Sequence, residues 1–198
     1  MIEFPNTEQH WTGAYGAEFQ PAPFVEQAMR RANQQIGCSR TGLWVFEECG
    51  DGRSLHCLGL YDRTKDRMVR VSDEAGHAAQ PYFDALARQG HVVAHDARTH
   101  PATRAFFQEK LFASGVQSLM ASAFSLNGTL FGAFTCTQVH VPVTWSPRQL
   151  AVLTKISSHA TLALTHAGSE ALESLLERRD SAMLQRAMAQ RFGSAVPG

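Results

Sequence analysis

The chain has 198 residues, is 44% hydrophobic and 18% charged, and balances 18 basic against 18 acidic side chains for a formal net charge of zero. That apolar fraction excludes a disordered chain, and the neutral balance excludes a global field for nucleic acid or anionic lipid. A chain of this length supports one core with an added arm rather than two full domains, and no apolar run approaches the roughly 18 residues of a spanning helix.

Residues 1 to 20 mix Pro5, Gly13 and Gly16 with isolated aromatics (Phe4, Trp11, Tyr15, Phe19) and read as an arm that docks by its side chains. The start, Met1-Ile2-Glu3-Phe4-Pro5-Asn6, has neither a basic leader nor an apolar core, so no secretory signal is expected and the cytoplasm is the expected compartment. From Pro23, Val25, Ala28, Met29, Ala32 and Ile36 recur at helical spacing up to Gly37, which predicts an amphipathic helix over 23–36. Leu43-Trp44-Val45-Phe46, the turn Gly50-Asp51-Gly52 and the stretch from Leu55 to Tyr61 predict a β-hairpin.

The polar stretch 62–80 has room for one short strand at Met68 to Val71. Pro81 then opens a short helix outlined by Tyr82, Phe83, Leu86 and Ala87 and stopped by Gly90. His91 to Ala94 is a strand candidate, and Pro101 to Phe112 is expected to be a helix. Val116 to Phe124 and Thr129 to Thr137 flank Leu126-Asn127-Gly128, where Asn-Gly suits the positive backbone angles of a two-residue turn, so a second hairpin is expected. The last element starts at Ser146-Pro147-Arg148-Gln149, a capping box with proline at the first helical position.

Small or apolar residues then fall at Leu150, Leu153, Ser157, Ala160, Leu164 and Ala167, and continue, displaced by one, through Leu172, Leu176 and Met183. Unbroken to Gln190, this helix would be about 65 Å long, too long for so small a core to cover. Its far half either frays as a polar tail or pairs with a second copy, and Leu164, Leu172, Leu176 and Met183 are the expected dimer and coupling contacts. The expected organisation is an arm over 1–22, a domain over 23–165 and a helical extension over 166–198. The element order predicts an α+β fold with an antiparallel sheet of about five to six strands. Terminal helices lie on one face and the helical and loop segment covers a pocket on the other.

The residues Tyr82-Phe83-x-Ala85-Leu86, Val92-Val93-x-x-Asp96-Ala97-x-x-x-Pro101-x-Thr103, Gly115-Val116-x-Ser118-Leu119-Met120, Gly128-x-Leu130-x-Gly132 and Trp145-Ser146 follow one another in the order of a known family. On them the chain resembles a GAF domain, the small-molecule sensing module of bacterial sensor kinases and cyclic-di-nucleotide enzymes. Ala123-Phe124 departs from the proline and aliphatic pair the family often has. The resemblance implies a cytoplasmic, non-enzymatic sensor with a ligand cavity, a homodimer, and an output domain in cis or in trans, either a kinase or a cyclic-di-nucleotide enzyme. Nucleic acid and membrane insertion are not expected.

The expected cavity walls are Trp44, Leu58 and Leu60 from the first hairpin, Tyr82, Phe83 and Phe107 from the middle, and Met120, Phe134 and Cys136 from the second hairpin. For each, plain core packing is the competing reading. Asp96 and Arg104 are candidates for a polar head group, against a turn-capping role for Asp96.

No cofactor is specified. The nine histidines, His91, His95 and His100 above all, raise a metal or haem site, and Cys57 and Cys136 a thiol sensor. However, His91 and His95 sit in and just past a strand candidate, no H-x-x-x-H lies on an expected helix, and adjacent His56 and Cys57 point to opposite faces of a strand. Three ligand or enzyme branches of the family carry residues absent here: three mid-segment cysteines for methionine sulfoxide reduction, a Cys-His pair for bilin attachment, and an Asn-Lys-x-Phe-x-x-x-Asp-Glu pattern for cyclic nucleotides. The remaining readings are a ligand sensor, a dimerisation module with a collapsed pocket, and a haem, metal or thiol redox sensor.

Overall fold

The computed structural model describes residues 21–49, 52–69, 74–75, 79–111, 114–126 and 129–167. Helix α1 (Pro21–Ile36) is followed by the hairpin β1 (Arg40–Cys49) and β2 (Gly52–Asp62), then short β3 (Arg67–Val69) and β4 (Glu74–Ala75). Helix α2 (Gln80–Gln89), strand β5 (His91–Ala94) and the short helix α3 (Arg104–Phe106) form the middle. The hairpin β6 (Val116–Leu126) and β7 (Thr129–Val139) and helix α4 (Pro147–Ala167) complete the order. All pairings are antiparallel, in the order β3-β2-β1-β7-β6-β5, with β4 also on β2.

The α+β fold expected from the sequence is therefore observed, with α1 and α4 packed side by side on one sheet face. Val25, Ala28, Met29, Ala32 and Ile36 of α1 are buried there with Leu153, Ile156, Ala160 and Ala163 of α4. Buried hydroxyls fasten both helices to the strands: Thr41 Oγ1 donates to Met29 O at 2.8 Å and Ser157 Oγ to Ala123 O at 2.9 Å. The capping box forms as expected, with Ser146 N donating to Gln149 Oε1 (2.9 Å) and Gln149 N to Ser146 Oγ (3.3 Å). Gln149 Nε2 also donates to Ile36 O at 2.9 Å, so one side chain caps the start of α4 and the end of α1.

The opposite face carries α2 and α3, with the sheet's edge strand β5 between them in the chain. The helix expected over Pro101 to Phe112 is instead a turn through Thr103, three α-helical residues and a π-helical turn over Phe107–Leu111. Its i to i+5 bonding brings Phe106 and Leu111, five apart, onto one side of the segment, which ordinary helical spacing does not do. Gly90 ends α2 at φ 73°, a left-handed conformation that a side chain disfavours. The arm over residues 1 to 20 and the coupling residues Leu172, Leu176 and Met183 lie outside the described residues, as does the side chain of Leu164.

One close approach decides how the hairpins join. Gly132 of β7 pairs with Val45 of β1, and a Cβ on it would fall on the carbonyl oxygen of Trp44, a backbone atom that cannot swing aside. Gly132→Ala is expected to cost about 1–3 kcal/mol, the usual penalty of overpacking, read as a lowered urea midpoint at unchanged slope.

Candidate ligand pocket

Between the sheet and the middle segment lies a partly open cavity of about 80 Å3. Its floor is the even side of β1: Arg40, Gly42 and Trp44 point toward it, as alternation along a strand requires. Trp44 Nε1 donates to Thr135 Oγ1 at 3.1 Å, and that hydroxyl donates to Gly42 O at 3.3 Å. Gly42 leaves space for the indole, since a Cβ there would come within 2.8 Å of Trp44 Nε1 and 2.9 Å of Leu60 Cδ1.

Leu55 and Leu60 of β2 both line the cavity although five residues separate them. A β-bulge explains it: Leu43 pairs with Gly59 and Trp44 with Cys57, so Leu58 is an extra residue and the alternation restarts. Val116 and Leu119 of β6, Thr135 and Thr137 of β7, and Phe106 and Leu111 of the middle segment enclose the rest.

Polar groups gather at one end of this floor. Arg40 Nε meets Asp62 Oδ2 at 3.0 Å and its Nη1 donates to Ser114 O at 3.0 Å, so the guanidinium bridges β2 to the loop entering β6. Burial pushes the Asp62 carboxyl up. The Arg40 hydrogen bond, the Lys65 and Thr64 amides and the Arg40 charge outweigh that, and its pKa lies below the usual 3.8. On the roof, Tyr82 is 2% exposed and its ring stacks on Phe106 at a centroid distance of 6.1 Å. Burial holds its hydroxyl far above the ordinary phenol range, so it stays protonated.

Of the residues expected in the walls, Trp44, Leu60 and Tyr82 line the cavity. Phe83 and Phe107 are buried on the same side of the sheet, within the core around the cavity rather than at its surface. Met120, Phe134 and Cys136 face α1 and α4, and Leu58 packs there too. The reason is register: in β7 the cavity takes Thr135 and Thr137, so Phe134 and Cys136 must point the other way, and the bulge turns Leu58 away from Leu60.

Asp96 and Arg104, expected at a polar head group, do not line this cavity. Asp96 pairs with Arg98 (Nη2 to Oδ2, 3.0 Å) and accepts from the Arg98 amide at 2.9 Å, bonds that lower its carboxyl, while Arg104 is exposed. Sequence reasoning missed Arg40, Leu55, Phe106, Leu111, Ser114, Val116, Leu119, Thr135 and Thr137. The even-numbered series Arg40, Gly42, Trp44 was readable from β1 alone. The bulge and the π turn left no periodic signal.

Two of the histidines hold backbone amides. His95 Nδ1 accepts from Trp145 N at 3.0 Å and His100 Nδ1 from Ala102 N at 3.2 Å. Among the described residues no three histidine, cysteine or acidic side chains are grouped as for a metal ion. Cys136 is fully buried; burial, and then the Cys38 thiol beside it, raise its pKa, which works against thiolate chemistry.

A family model described as the GAF domain matches residues 21–164. Comparison with curated proteins by sequence finds no match. Among solved structures, the chain is similar to the PixJ GAF domain of Thermosynechococcus elongatus in its blue-light absorbing form, with TM-score 0.63 and 14% identity over 83% of this chain and 93% of that one. It is similar to the phytochrome photosensory core module of Stigmatella aurantiaca, with TM-score 0.63 and 12% identity over 95% of this chain and 41% of that one. It is also similar to a domain of a two-component sensor histidine kinase protein of Sinorhizobium meliloti, with TM-score 0.53 and 13% identity over 78% of this chain and 94% of that one. At these identities the likeness shows the fold.

Because the Asp62 carboxyl is depressed in the fold, its contribution to stability is complete above the ordinary carboxylate range and is lost as pH falls below 3.8. Asp62→Asn is expected to lower stability at neutral pH. The deficit should shrink as acid protonates Asp62 in the unaltered protein, a convergence that parallel urea titrations at neutral and acidic pH read directly.

Proposed function

The chain belongs to the GAF domain family of sensory modules, and we propose that it is a non-enzymatic sensor that holds a small molecule in the cavity and signals through its C-terminal helix. The observation that carries this reading is the cavity itself. Leu55, Leu60, Phe106, Val116 and Leu119 are all buried and line a cavity of about 80 Å3 between the sheet and the middle segment, which supports the reading. A dimerisation module with a collapsed pocket would bring those side chains into mutual contact.

The proposed output is a population shift. A ligand that prefers one closed state of the pocket biases the angle or register of paired α4 helices, which Leu164, Leu172, Leu176 and Met183 would join in a homodimer. An attached or separate kinase or cyclic-di-nucleotide enzyme would read that change. The cytoplasm is the proposed compartment; among the described residues no helix is long and apolar enough to cross a membrane.

Native mass spectrometry of the freshly purified full chain is expected to give a dimer with extra non-covalent mass. Leu119→Trp, which fills the cavity from its β6 wall, should strip that mass and leave the dimer intact. A full-length chain at bare polypeptide mass that also fails to take up the neutral dye N-phenyl-1-naphthylamine would count against the sensor. Leu176→Asp is expected to yield monomers in sedimentation with the fold retained by circular dichroism; an undisturbed dimer would remove the coupling role from this helix.

A further inference from the structure

The cavity is small and its lining is uneven. A space of about 80 Å3 is roughly half of one that accepts benzene and several times what one water needs, so it admits about three to five carbon atoms. Leu55, Leu60, Phe106, Val116 and Leu119 are buried around it and make its interior apolar. Thr135, on the floor, has both of its hydroxyl's roles filled, accepting from Trp44 Nε1 and donating to Gly42 O.

One cation meets this apolar space. Among the lining residues Ser114 is exposed and the Arg40 side chain is 24% exposed, which puts both at the rim. Arg40 spends two of its five N–H groups, Nε on Asp62 Oδ2 and one of those on Nη1 on Ser114 O. The two on Nη2 have no partner among the described residues. Asp62 is itself held through its other oxygen by the Thr64 and Lys65 amides, at 3.0 and 3.3 Å. The guanidinium is therefore fixed from two sides, with donors to spare at the edge of an apolar space.

We infer that the ligand is a short-chain monocarboxylate, with its carboxylate on the free Arg40 donors and a tail of about three to five carbons in the cavity. The inference rests on the sensor reading and names the ligand class for the same cavity. Both parts of such a molecule find a partner. A bare inorganic anion would use the guanidinium and leave the apolar space unfilled, whereas a hydrocarbon would fill the space and leave the donors to water. A second negative charge on the guest would be opposed by Asp62, whose Oδ2 lies 3.0 Å from Arg40 Nε. A nucleotide fails on both counts, charge and size.

The test titrates the full chain by calorimetry at neutral pH with straight-chain carboxylates from acetate to decanoate and with the matching primary amides. Affinity is expected to rise to a maximum between butanoate and hexanoate and to fall roughly threefold or more by decanoate, as the tail outgrows the space. A rise that continues through decanoate would mean adsorption on a surface and would overturn the inference. The amide of the best acid should bind roughly tenfold more weakly or worse, because it lacks the charge that strengthens a bond to arginine. Equal affinity for acid and amide would overturn the inference as well. Leu119→Trp should abolish binding of the best acid. Arg40→Gln alone would strand the Asp62 carboxylate, so the arginine is tested in the pair Arg40→Gln with Asp62→Asn, which should lose the preference for acid over amide. The amide comparison on the unaltered protein does not depend on whether that pair folds. If no carboxylate binds while the purified chain carries the mass of another compound that Leu119→Trp strips, the ligand class is wrong and the sensor reading stands. If none binds and the chain is bare, both fall.

Discussion

Two hairpins that are local in sequence become one sheet only where β1 pairs with β7, more than eighty residues away along the chain. That seam puts Trp44, Thr135 and Gly42 into one hydrogen-bonded group, sets Arg40 beside Thr137, and fixes which strand residues face the cavity. It also requires Gly132 to carry no side chain, because the Trp44 carbonyl occupies the place a Cβ would take. Long-range pairing of this kind fixes register by burial: a slip of one residue would move Phe134 and Cys136 out of the helix layer and into the cavity. The helix layer, the pocket floor and the polar end at Arg40 all follow from one alignment.

Much of this was legible in the sequence, and the rest failed for identifiable reasons. The second hairpin, β5 and the start of α4 follow from Asn127-Gly128, the run His91 to Ala94 and the Ser146 capping box, each a local rule acting on local residues. Face assignment is different. Aromatics and large apolar residues attract attention as pocket walls, but Met120 and Phe134 are large because the interface with α1 and α4 is dry and close-packed. The cavity instead takes Thr135 and Thr137 from the same strand. Leu58 misleads through the bulge at β2, and Leu111 is hidden by the π turn, since neither departure leaves a trace in a period of two or of 3.6.

Several polar side chains around the cavity hold the fold. Asp62 and Ser114 hold Arg40 in place, and Thr135 holds the Trp44 indole; these bonds are closed within the protein. Asp96 lies outside this set. It organises its own turn through the Arg98 amide and guanidinium, and Thr103 Oγ1 closes the same loop onto Ala97 O at 2.8 Å.

Under the proposed function, the path from cavity to α4 is one strand thick. Leu119 lines the cavity while Met120, next in sequence, is buried against the helix layer. One residue earlier, Ser118 Oγ donates to His95 O at 2.6 Å and accepts from Val143 N at 2.8 Å. His95 in turn accepts from Trp145 N, the residue before the Ser146 cap. The end of β5, the pocket wall of β6 and the connector into α4 thus form one hydrogen-bonded junction at the root of the last helix. A close-packed layer passes on displacement rather than absorbing it, because its side chains have no free volume into which to relax. Movement of the β6 wall around a guest would therefore reach α4 at two places: at its root through Ser118 and His95, and along its length where Ser157 is bonded to Ala123 O. Two attachments on one rigid rod turn a small shift of a strand into a tilt, and a tilt grows with distance along the helix, which makes the far half of that helix the place where an output partner reads it most easily.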